Sequence, residues 1–309
     1  MKFLLQLTLM GSQKEIRVRI SSTKKTMKIT SAMKLVAAAK VNKMQKILMA
    51  TRPYSQKLAD LFTNLVSSLE PTALESNSLL KSKPESEVKN VLLIVVSSDR
   101  GLCGGYNANI IKATNKRIKE LKAESKELSL ITIGRKAKSN FNKSIYKSDN
   151  IKILESFVNL SSIPSSLEAD LISNKAINLF LEGTVDRIEI ITTKFINLVS
   201  NEILVNQFLP IDSKNLSSAQ TNSGTEVLLE PDSETLINTL APMYTENRVY
   251  QALLEAVTSE LAARMTAMSN ATNNAKEVIH QQVLAYNKAR QASITQEISE
   301  IVGGAAALG

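Results

Sequence analysis

Hydrophobic and small residues recur at alternating steps of four and three near the end of the chain, the spacing of a helix that packs against another helix. Between Met243 and Val302 there is no Gly and no Pro. This stretch predicts one helix, closed by Pro242 before it and by Gly303 and Gly304 after it, roughly 90 Å long. The spaced positions are Leu254, Leu261, Met265, Met268, Thr272, Ala275, Ile279, Tyr286 and Ala289, with Thr258 and Gln282 as polar interruptions.

A second long helix is predicted at the start of the chain, over residues 12–52, again without Gly or Pro. Pro53 either kinks this helix or begins a new one over residues 54–70. Its spaced positions are Ile16, Ile20, Thr23, Met27, Ala37, Val41, Met44 and Leu48, interrupted by Thr30 and Lys34. Neither helix can bury its own apolar stripe, so we expect the two to form an antiparallel coiled coil.

Short apolar runs alternate with helical stretches in the middle of the chain. Val91–Val96 is a continuous run rich in β-branched residues, typical of a strand buried on both faces. The following elements are predicted to be helix 107–126, strand 130–133, helix 135–141, helix 168–182, strand 187–195 and strand 198–210, with a polar loop at 212–224. This order predicts an α/β layer with a mainly parallel sheet.

The predicted fold class is therefore α/β: an antiparallel coiled coil of long N- and C-terminal helices plus an inserted Rossmann-like α/β domain. We expect residues 11–70 and 232–309 to form a discontinuous coiled-coil shaft and residues 87–231 to form the α/β domain. Residues 1–10 are mostly apolar. We interpret them as an N-terminal extension, with Met10 as an alternative start.

Net charge and the counts of Cys and His limit the classes of function that the chain can have. The formal net charge of +9 suits nucleic acid, an acidic protein surface or anionic lipid headgroups. A single Cys excludes an internal disulfide and a Cys-rich zinc site, and a single His argues against a Ser-His-Asp enzyme. No apolar run is long enough for a transmembrane helix, and no signal peptide is recognisable.

The loop Ser98–Gly105 follows a predicted strand and precedes a predicted helix, a common position for nucleotide phosphates. Its glycines match neither the P-loop nor G-x-G-x-x-G, so we favour a tight turn that needs positive φ. We expect Cys103 to be a buried small side chain rather than a reactive thiol.

Two alternatives stay open on the residues alone. A Rossmann-like enzyme with helical arms is one, and the missing phosphate motif argues against it. A basic coiled coil that binds nucleic acid is the other, and it lacks aromatic residues for base stacking between Lys14 and Lys46.

Small residues lie between hydrogen-bond donors over residues 287–297, and an apolar tail follows over residues 298–308. A lone helix in water would instead favour ion pairs four residues apart. This composition indicates a helix end that is enclosed by other protein.

Three stretches of the chain resemble the gamma subunit of F-type ATP synthases. The first is residues 14–17 followed by 28–40, the second is residues 98–105, and the third runs from 259–268 through 286–297 to 301–307. The resemblance implies a non-catalytic central shaft of a rotary motor, without a cofactor or a metal. It implies that the shaft couples proton flow through the membrane c-ring to conformational cycling of the beta-subunit catalytic sites. The implied partners are the alpha and beta subunits, the epsilon subunit and the c-ring, at the cytoplasmic face of the bacterial inner membrane.

The same resemblance implies particular contact residues. Those expected to contact the alpha/beta head are Lys28, Met33, Arg264, Arg290, Gln291, Thr295 and Glu297. Those expected in the loop of the α/β foot domain are Asp99, Arg100, Gly101, Cys103, Gly104 and Gly105.

Overall fold

The computed structural model describes residues 13–68, 77–143, 146, 150–212 and 233–308. Its elements are α1 (Gln13–Ser68), β1 (Asn90–Val96), α2 (Tyr106–Ala123), β2 (Glu127–Ile133), α3 (Arg135–Phe141), β3 (Lys152–Phe157), α4 (Ser166–Leu181), β4 (Arg187–Phe195), β5 (Asn201–Leu209) and α5 (Ser233–Leu308). The chain divides into two compact units. The coiled-coil unit comprises Met1–Ala37 with Met265–Gly309, and the α/β unit comprises Ala38–Arg264.

Polar residues pair across the two helices of the coiled-coil unit. Thr272 Oγ1 lies 2.9 Å from Thr30 Oγ1, and Thr23 Oγ1 donates to Gln282 Oε1 at 3.4 Å. Residue numbers fall along α1 as they rise along α5, so the helices run antiparallel, as predicted. Thr30 and Gln282, which interrupt the apolar pattern in the sequence, each find a polar partner on the opposite helix.

A five-stranded sheet forms the centre of the α/β unit, with strand order β3-β2-β1-β4-β5. The β1–β2, β1–β4 and β2–β3 pairs are parallel, whereas β4 and β5 are antiparallel. The prediction of a mainly parallel sheet is confirmed. Strand β3 was not predicted from the sequence.

The alternating side chains of β1 enter two separate hydrophobic cores. Leu92 and Ile94 pack in a core that also contains Phe62 of α1 and Leu253 of α5. Val91, Leu93 and Val95 pack in a second core with residues of α2 and α3 such as Ile110 and Phe141. A strand covered on both faces needs apolar side chains at every position, which explains its unbroken apolar run.

Two prolines lie inside helices: a helix that continues past Pro53 was one of the two predicted alternatives, whereas the boundary predicted at Pro242 is wrong. Pro53 lies within α1, and Pro242 lies within α5, which begins at Ser233 rather than at Met243. A proline inside a helix costs about 3 kcal/mol because it removes one backbone bond and clashes with the preceding turn. Burial of Phe62 after Pro53 and of Ile237 before Pro242 offsets this cost.

The predicted end of α5 at Gly303 and Gly304 is also wrong, because α5 continues to Leu308. Each glycine costs about 1 kcal/mol in a helix. The next three residues, Ala305–Ala307, are alanines, the residue type with the highest helix propensity, and they favour continuation of the helix. The predicted loop 212–224 lies outside the described residues from 213 onward, as does the predicted extension 1–10. The boundaries 11–70, 87–231 and 232–309 stay predictions.

Candidate functional site

Four of the predicted contact residues lie together near the carboxyl end of α5. Arg290, Gln291, Thr295 and Glu297 are all exposed. Their described hydrogen bonds stay within the helix: Thr295 Oγ1 donates to the Gln291 carbonyl at 2.9 Å, and Ser293 Oγ donates to Glu297 Oε1 at 3.2 Å. The Arg290 guanidinium and the Gln291 amide are therefore presented to the surroundings of this helix.

Apolar residues are exposed on the same part of α5. The exposed fraction is 56% for Ile298, 71% for Ile301 and 63% for Val302. Ala289, just before this part, still accepts a hydrogen bond from Gln13 Nε2 of α1 at 3.5 Å. A helix end that combines exposed apolar residues with side-chain donors has the composition of a protein interface.

The two predicted contact residues of α1, Lys28 and Met33, belong to the coiled-coil unit. Lys28 is exposed and Met33 is half-buried. The apolar side chains Ile29, Leu35 and Val36 are exposed around them. This part of α1 therefore presents apolar surface as well as positive charge.

The loop from Asp99 to Gly105 joins β1 to α2 and is a tight turn, as predicted. Its positive φ angles occur at Gly104, with φ of 58°, and at Leu102, with φ of 63°. Gly105 has a φ of −80° and precedes the first residue of α2. The need for positive φ therefore explains Gly104, but it does not explain Gly101 or Gly105.

Cys103 of this loop is buried, as predicted. Asn107 Nδ2 donates to Cys103 Sγ at 3.1 Å, and Asn107 Oδ1 accepts from the Ser98 amide at 3.1 Å. Burial raises the pKa of the Cys103 thiol, and the nearby Glu260 carboxylate raises this pKa further. Cys103 is therefore a structural thiol that helps to close the loop onto α2.

The first amides of α3, which follows β2, are bonded to protein atoms. Arg135 N donates to Asp99 Oδ1 at 2.9 Å, Lys136 N to the Ser98 carbonyl at 3.1 Å, and Ala137 N to Ser97 Oγ at 2.9 Å. These bonds fix the first turn of α3 to the segment that follows β1.

Arg264 lies against this loop within the α/β unit. It donates from Nη2 to the Gly101 carbonyl at 3.2 Å and forms an ion pair with Glu260, one turn earlier on α5. Only 14% of the Arg264 side chain is exposed. The sequence placed Arg264 and Gly101 in separate groups of contact residues, whereas the structure joins them.

A cavity of about 300 Å³ lies beside this ion pair, at the carboxyl ends of the parallel strands. The charged residues that line it are Lys40, Asp99, Arg100, Arg135, Glu260 and Arg264. Burial raises the pKa of Glu260, while Arg264, Arg100 and Lys40 act in the opposite direction. Cations around a half-buried carboxylate form a charge network that holds α5 to the loop.

Sequence reasoning did not identify three residues that order α5 within the α/β unit. Glu260 could have been found, because its position four residues before Arg264 is that of a helical ion pair. Tyr106 donates to the Ala256 carbonyl at 3.0 Å, and Arg248 donates to carbonyls of β5. Neither of these two residues has a local sequence pattern that predicts its role.

Among the residues that the structure describes, no cluster of His, Cys, Asp and Glu could hold a metal ion. Within the same ranges, no helix is both long enough and apolar enough to cross a membrane.

Comparison with known proteins gives matches over almost the whole chain. A family model described as ATP synthase matches residues 12–308. The ATP synthase gamma chain of Gloeothece citriformis is 43% identical, and that of a Synechococcus strain is 42% identical; in both cases 97% of this chain and 100% of the relative are covered.

Solved structures give the same result. The central stalk and c-ring structure of the Tetrahymena thermophila mitochondrial ATP synthase contains a similar chain, with 29% identity and a TM-score of 0.56, covering 79% of this chain and 99% of that chain. A chain of the Euglena gracilis mitochondrial ATP synthase has the same fold, with 19% identity, a TM-score of 0.63, and coverage of 96% of this chain and 94% of that chain.

Proposed function

Because this chain belongs to the ATP synthase gamma-chain family, we propose that it is the central-stalk rotor subunit of an F-type ATP synthase. It has no active site of its own, and it couples proton flow through the membrane c-ring to conformational cycling of the beta-subunit catalytic sites. The observation that carries the proposal is the antiparallel coiled coil of α1 and α5, in a chain that matches gamma chains over 97% of its length.

A shaft without an active site can still drive chemistry at a distance. Each beta subunit contacts a different side of the shaft at a given moment, and each side has a different affinity for the tight, loose and open states. The shaft therefore acts as a ligand whose orientation selects the populated state. A hundredfold shift between two states needs a difference in contact free energy of about 2.7 kcal/mol, which two or three hydrogen bonds to charged groups can supply.

The exposed end of α5 is where we place the contacts with the beta subunits. Arg290, Gln291 and Thr295 carry donors for carboxylate and carbonyl groups on beta-subunit loops, and Glu297 carries an acceptor. The exposed apolar residues around them support this placement, because protein on all sides would cover them.

The basic side of α1 is the second proposed contact with the head. Lys28 is exposed and suits acidic loops of the alpha and beta subunits, and Met33 adds apolar contact. Arg264 is mostly engaged with Glu260 and Gly101. Its direct contact with the head stays a prediction.

We assign the remaining partners to the α/β foot domain, predicted over residues 87–231. In this proposal it joins the epsilon subunit and the c-ring, and the loop from Asp99 to Gly105 belongs to it. The chain is then peripheral at the cytoplasmic face of the bacterial inner membrane, held there through the c-ring.

The rotor function is tested by assembly. The chain is co-expressed with the alpha and beta subunits of the same organism, and a tag on the beta subunit is used for purification. We expect the chain to co-purify with the hexamer and to rotate during ATP hydrolysis when a bead is attached to the α/β domain. A chain that stays separate from the hexamer, or that hydrolyses ATP alone, contradicts the proposal.

Arg290→Ala tests the contact at the end of α5. Arg290 is exposed, so we expect the unfolding midpoint of the chain to stay unchanged. Loss of one hydrogen bond to a charged group, worth about 1.5–3 kcal/mol, is expected to lower ATP-driven proton pumping per ATP hydrolysed.

The matched control is Lys288→Ala, which removes an exposed cation two residues earlier that is not a predicted contact. Equal pumping per ATP in both variants and in the wild type would exclude Arg290 as a contact residue.

A further inference from the structure

Arg248 of α5 is a cation that the family assignment does not explain. Its Nη1 donates to the Phe208 carbonyl at 3.1 Å, and its Nη2 donates to the Gln207 carbonyl at 2.6 Å, both on β5. Its guanidinium carbon lies 5.3 Å from the centre of the Phe208 ring and 5.8 Å from that of Tyr244. Among the described residues, no carboxylate lies within ion-pair distance of Arg248.

Only an arginine guanidinium, which is planar and carries several N–H donors, can make this arrangement. The guanidinium reaches two successive carbonyl groups at once while its faces lie near two aromatic rings. A lysine ammonium has a single point of charge and cannot do both. Arg248 therefore joins α5 to β5, the antiparallel strand at the edge of the sheet, with a defined orientation.

Three further polar contacts follow Arg248 along α5 at multiples of four residues. Thr192 Oγ1 donates to the Ala252 carbonyl at 3.4 Å, and Tyr106 OH donates to the Ala256 carbonyl at 3.0 Å. Arg264 then donates to the Gly101 carbonyl at 3.2 Å. Each step of four residues turns about 40° around a helix, so these contacts form a band that winds part of the way around α5. This band, called the stripe below, bonds α5 to the sheet, to α2 and to the loop before α2, from Arg248 to Arg264.

The stripe adds something that the hydrophobic core around it cannot supply. Burial of apolar side chains is non-directional, so a helix can rotate or slide by a small amount with little change in buried area. Hydrogen bonds depend steeply on distance and angle. The stripe therefore fixes the rotation of α5 about its own axis relative to the sheet.

We propose that Arg248 is a positioning residue that fixes the rotation of α5 about its own axis relative to the sheet. Torque applied to the sheet then turns α5 through the same angle. This inference rests on the proposed rotor function. It adds to that function a specific residue for the transfer of torque within the chain.

The test uses the assembled complex in lipid vesicles, with Arg248→Met and Arg248→Lys. Methionine keeps the apolar stem and removes both hydrogen bonds, and lysine keeps the charge with one donor group. Lys138→Met is the control, because Lys138 is an exposed cation of the same unit. ATP hydrolysis, ATP-driven proton pumping and the torsional stiffness of the rotor are measured for each.

For Arg248→Met we expect hydrolysis within twofold of the wild type, at least a threefold loss of protons pumped per ATP, and a lower torsional stiffness. Arg248→Lys is expected to be intermediate, and Lys138→Met is expected to match the wild type. If Arg248→Met does not assemble, the test is the torsional stiffness of the rotor with Arg248→Lys, which is expected to be below that of the wild type.

Two results would overturn the inference. One is an unchanged ratio of protons to ATP together with unchanged stiffness. The other is a fall of ATP hydrolysis and proton pumping by the same factor as the amount of assembled complex. A residue with a purely structural role would produce this result. Either result leaves the rotor function intact, because that function is tested by assembly, rotation and ATP hydrolysis of the wild-type chain.

Discussion

Gly134, between β2 and α3, is the residue at which the structure makes its sharpest prediction about stability. Its φ of 89° and ψ of 145° belong to a region that is almost exclusive to glycine. A Cβ atom at this position would contact the Ser97 carbonyl oxygen and lie 2.8 Å from the Ser97 carbonyl carbon. Both atoms belong to the backbone after β1, so relief requires movement of the strand end itself.

The cost of Gly134→Ala can be worked out from these contacts. The backbone conformation costs about 1–3 kcal/mol for a residue with a side chain. Movement of Ser97 weakens its bond to the Ile133 carbonyl, at 2.8 Å, and the bond from Ala137 N to Ser97 Oγ, at 2.9 Å, each worth about 1 kcal/mol. Alanine also lowers the conformational entropy of the unfolded chain, which stabilises the folded state by about 0.4–1 kcal/mol. We expect a net loss of about 3 kcal/mol.

Two other glycines provide matched controls in a urea unfolding experiment followed by circular dichroism. Gly183 has a φ of 71° with open space around it, so Gly183→Ala isolates the backbone cost at about 1 kcal/mol. Gly101 lacks positive φ, and the atom nearest to a Cβ there is the flexible Lys136 side chain at 3.7 Å, so Gly101→Ala is expected to be neutral. A loss for Gly134→Ala no larger than that for Gly183→Ala would refute the role assigned to Ser97.

Two further predictions concern polar groups. Thr272→Val and Thr30→Val remove the hydroxyl pair of the coiled-coil unit, and a double-mutant cycle on the unfolding free energy is expected to give a coupling of about 0.5–1.5 kcal/mol, whereas additive losses would contradict the pairing. Burial alone would raise the pKa of Asp186, but hydrogen bonds from the Asn90 amide, Lys83 and the Lys89 amide outweigh it and lower this pKa. The stabilisation is therefore present above the unfolded pKa of about 3.9 and is lost as the pH falls through the lowered pKa. Asp186→Asn should then destabilise the chain by about 1–3 kcal/mol at pH 7 and by progressively less in unfolding experiments below about pH 4, and a loss independent of pH would contradict this.

The helices and strands with regularly spaced apolar residues were predictable, because this spacing shows which positions of an element are buried. The unbroken run Val91–Val96 and the spaced apolar positions of α1 and α5 gave the sheet and the coiled coil. Strand β3 was missed because it lies at the edge of the sheet, where five of its six residues are only partly buried and Lys152 is exposed. An edge strand needs no continuous apolar run, and its pairing with β2 also contains an irregularity after Leu130.

The error at Pro242 has a different cause. Local propensity puts a helix boundary at this proline, whereas α5 continues because hydrophobic contacts on either side exceed the local cost. Such contacts join residues far apart in the sequence. Arg248 and Tyr106 were missed for the same reason, since their acceptors are backbone carbonyls that no sequence pattern marks.

The antiparallel pairing of α1 and α5 has a consequence for how the chain folds. Gln13 and Ala289, which are joined by a hydrogen bond, are separated by 276 positions along the chain. During synthesis all five strands are available once β5 has left the ribosome, and their core is completed by α5 residues such as Leu253. The first turns of α1 must wait for almost the whole polypeptide. The exposed apolar stripe of α1 is a liability throughout this interval, and closure of so large a loop is slow. We therefore expect the amino end of α1 to pair last, and the nascent chain to be most prone to aggregation while this end has no partner helix.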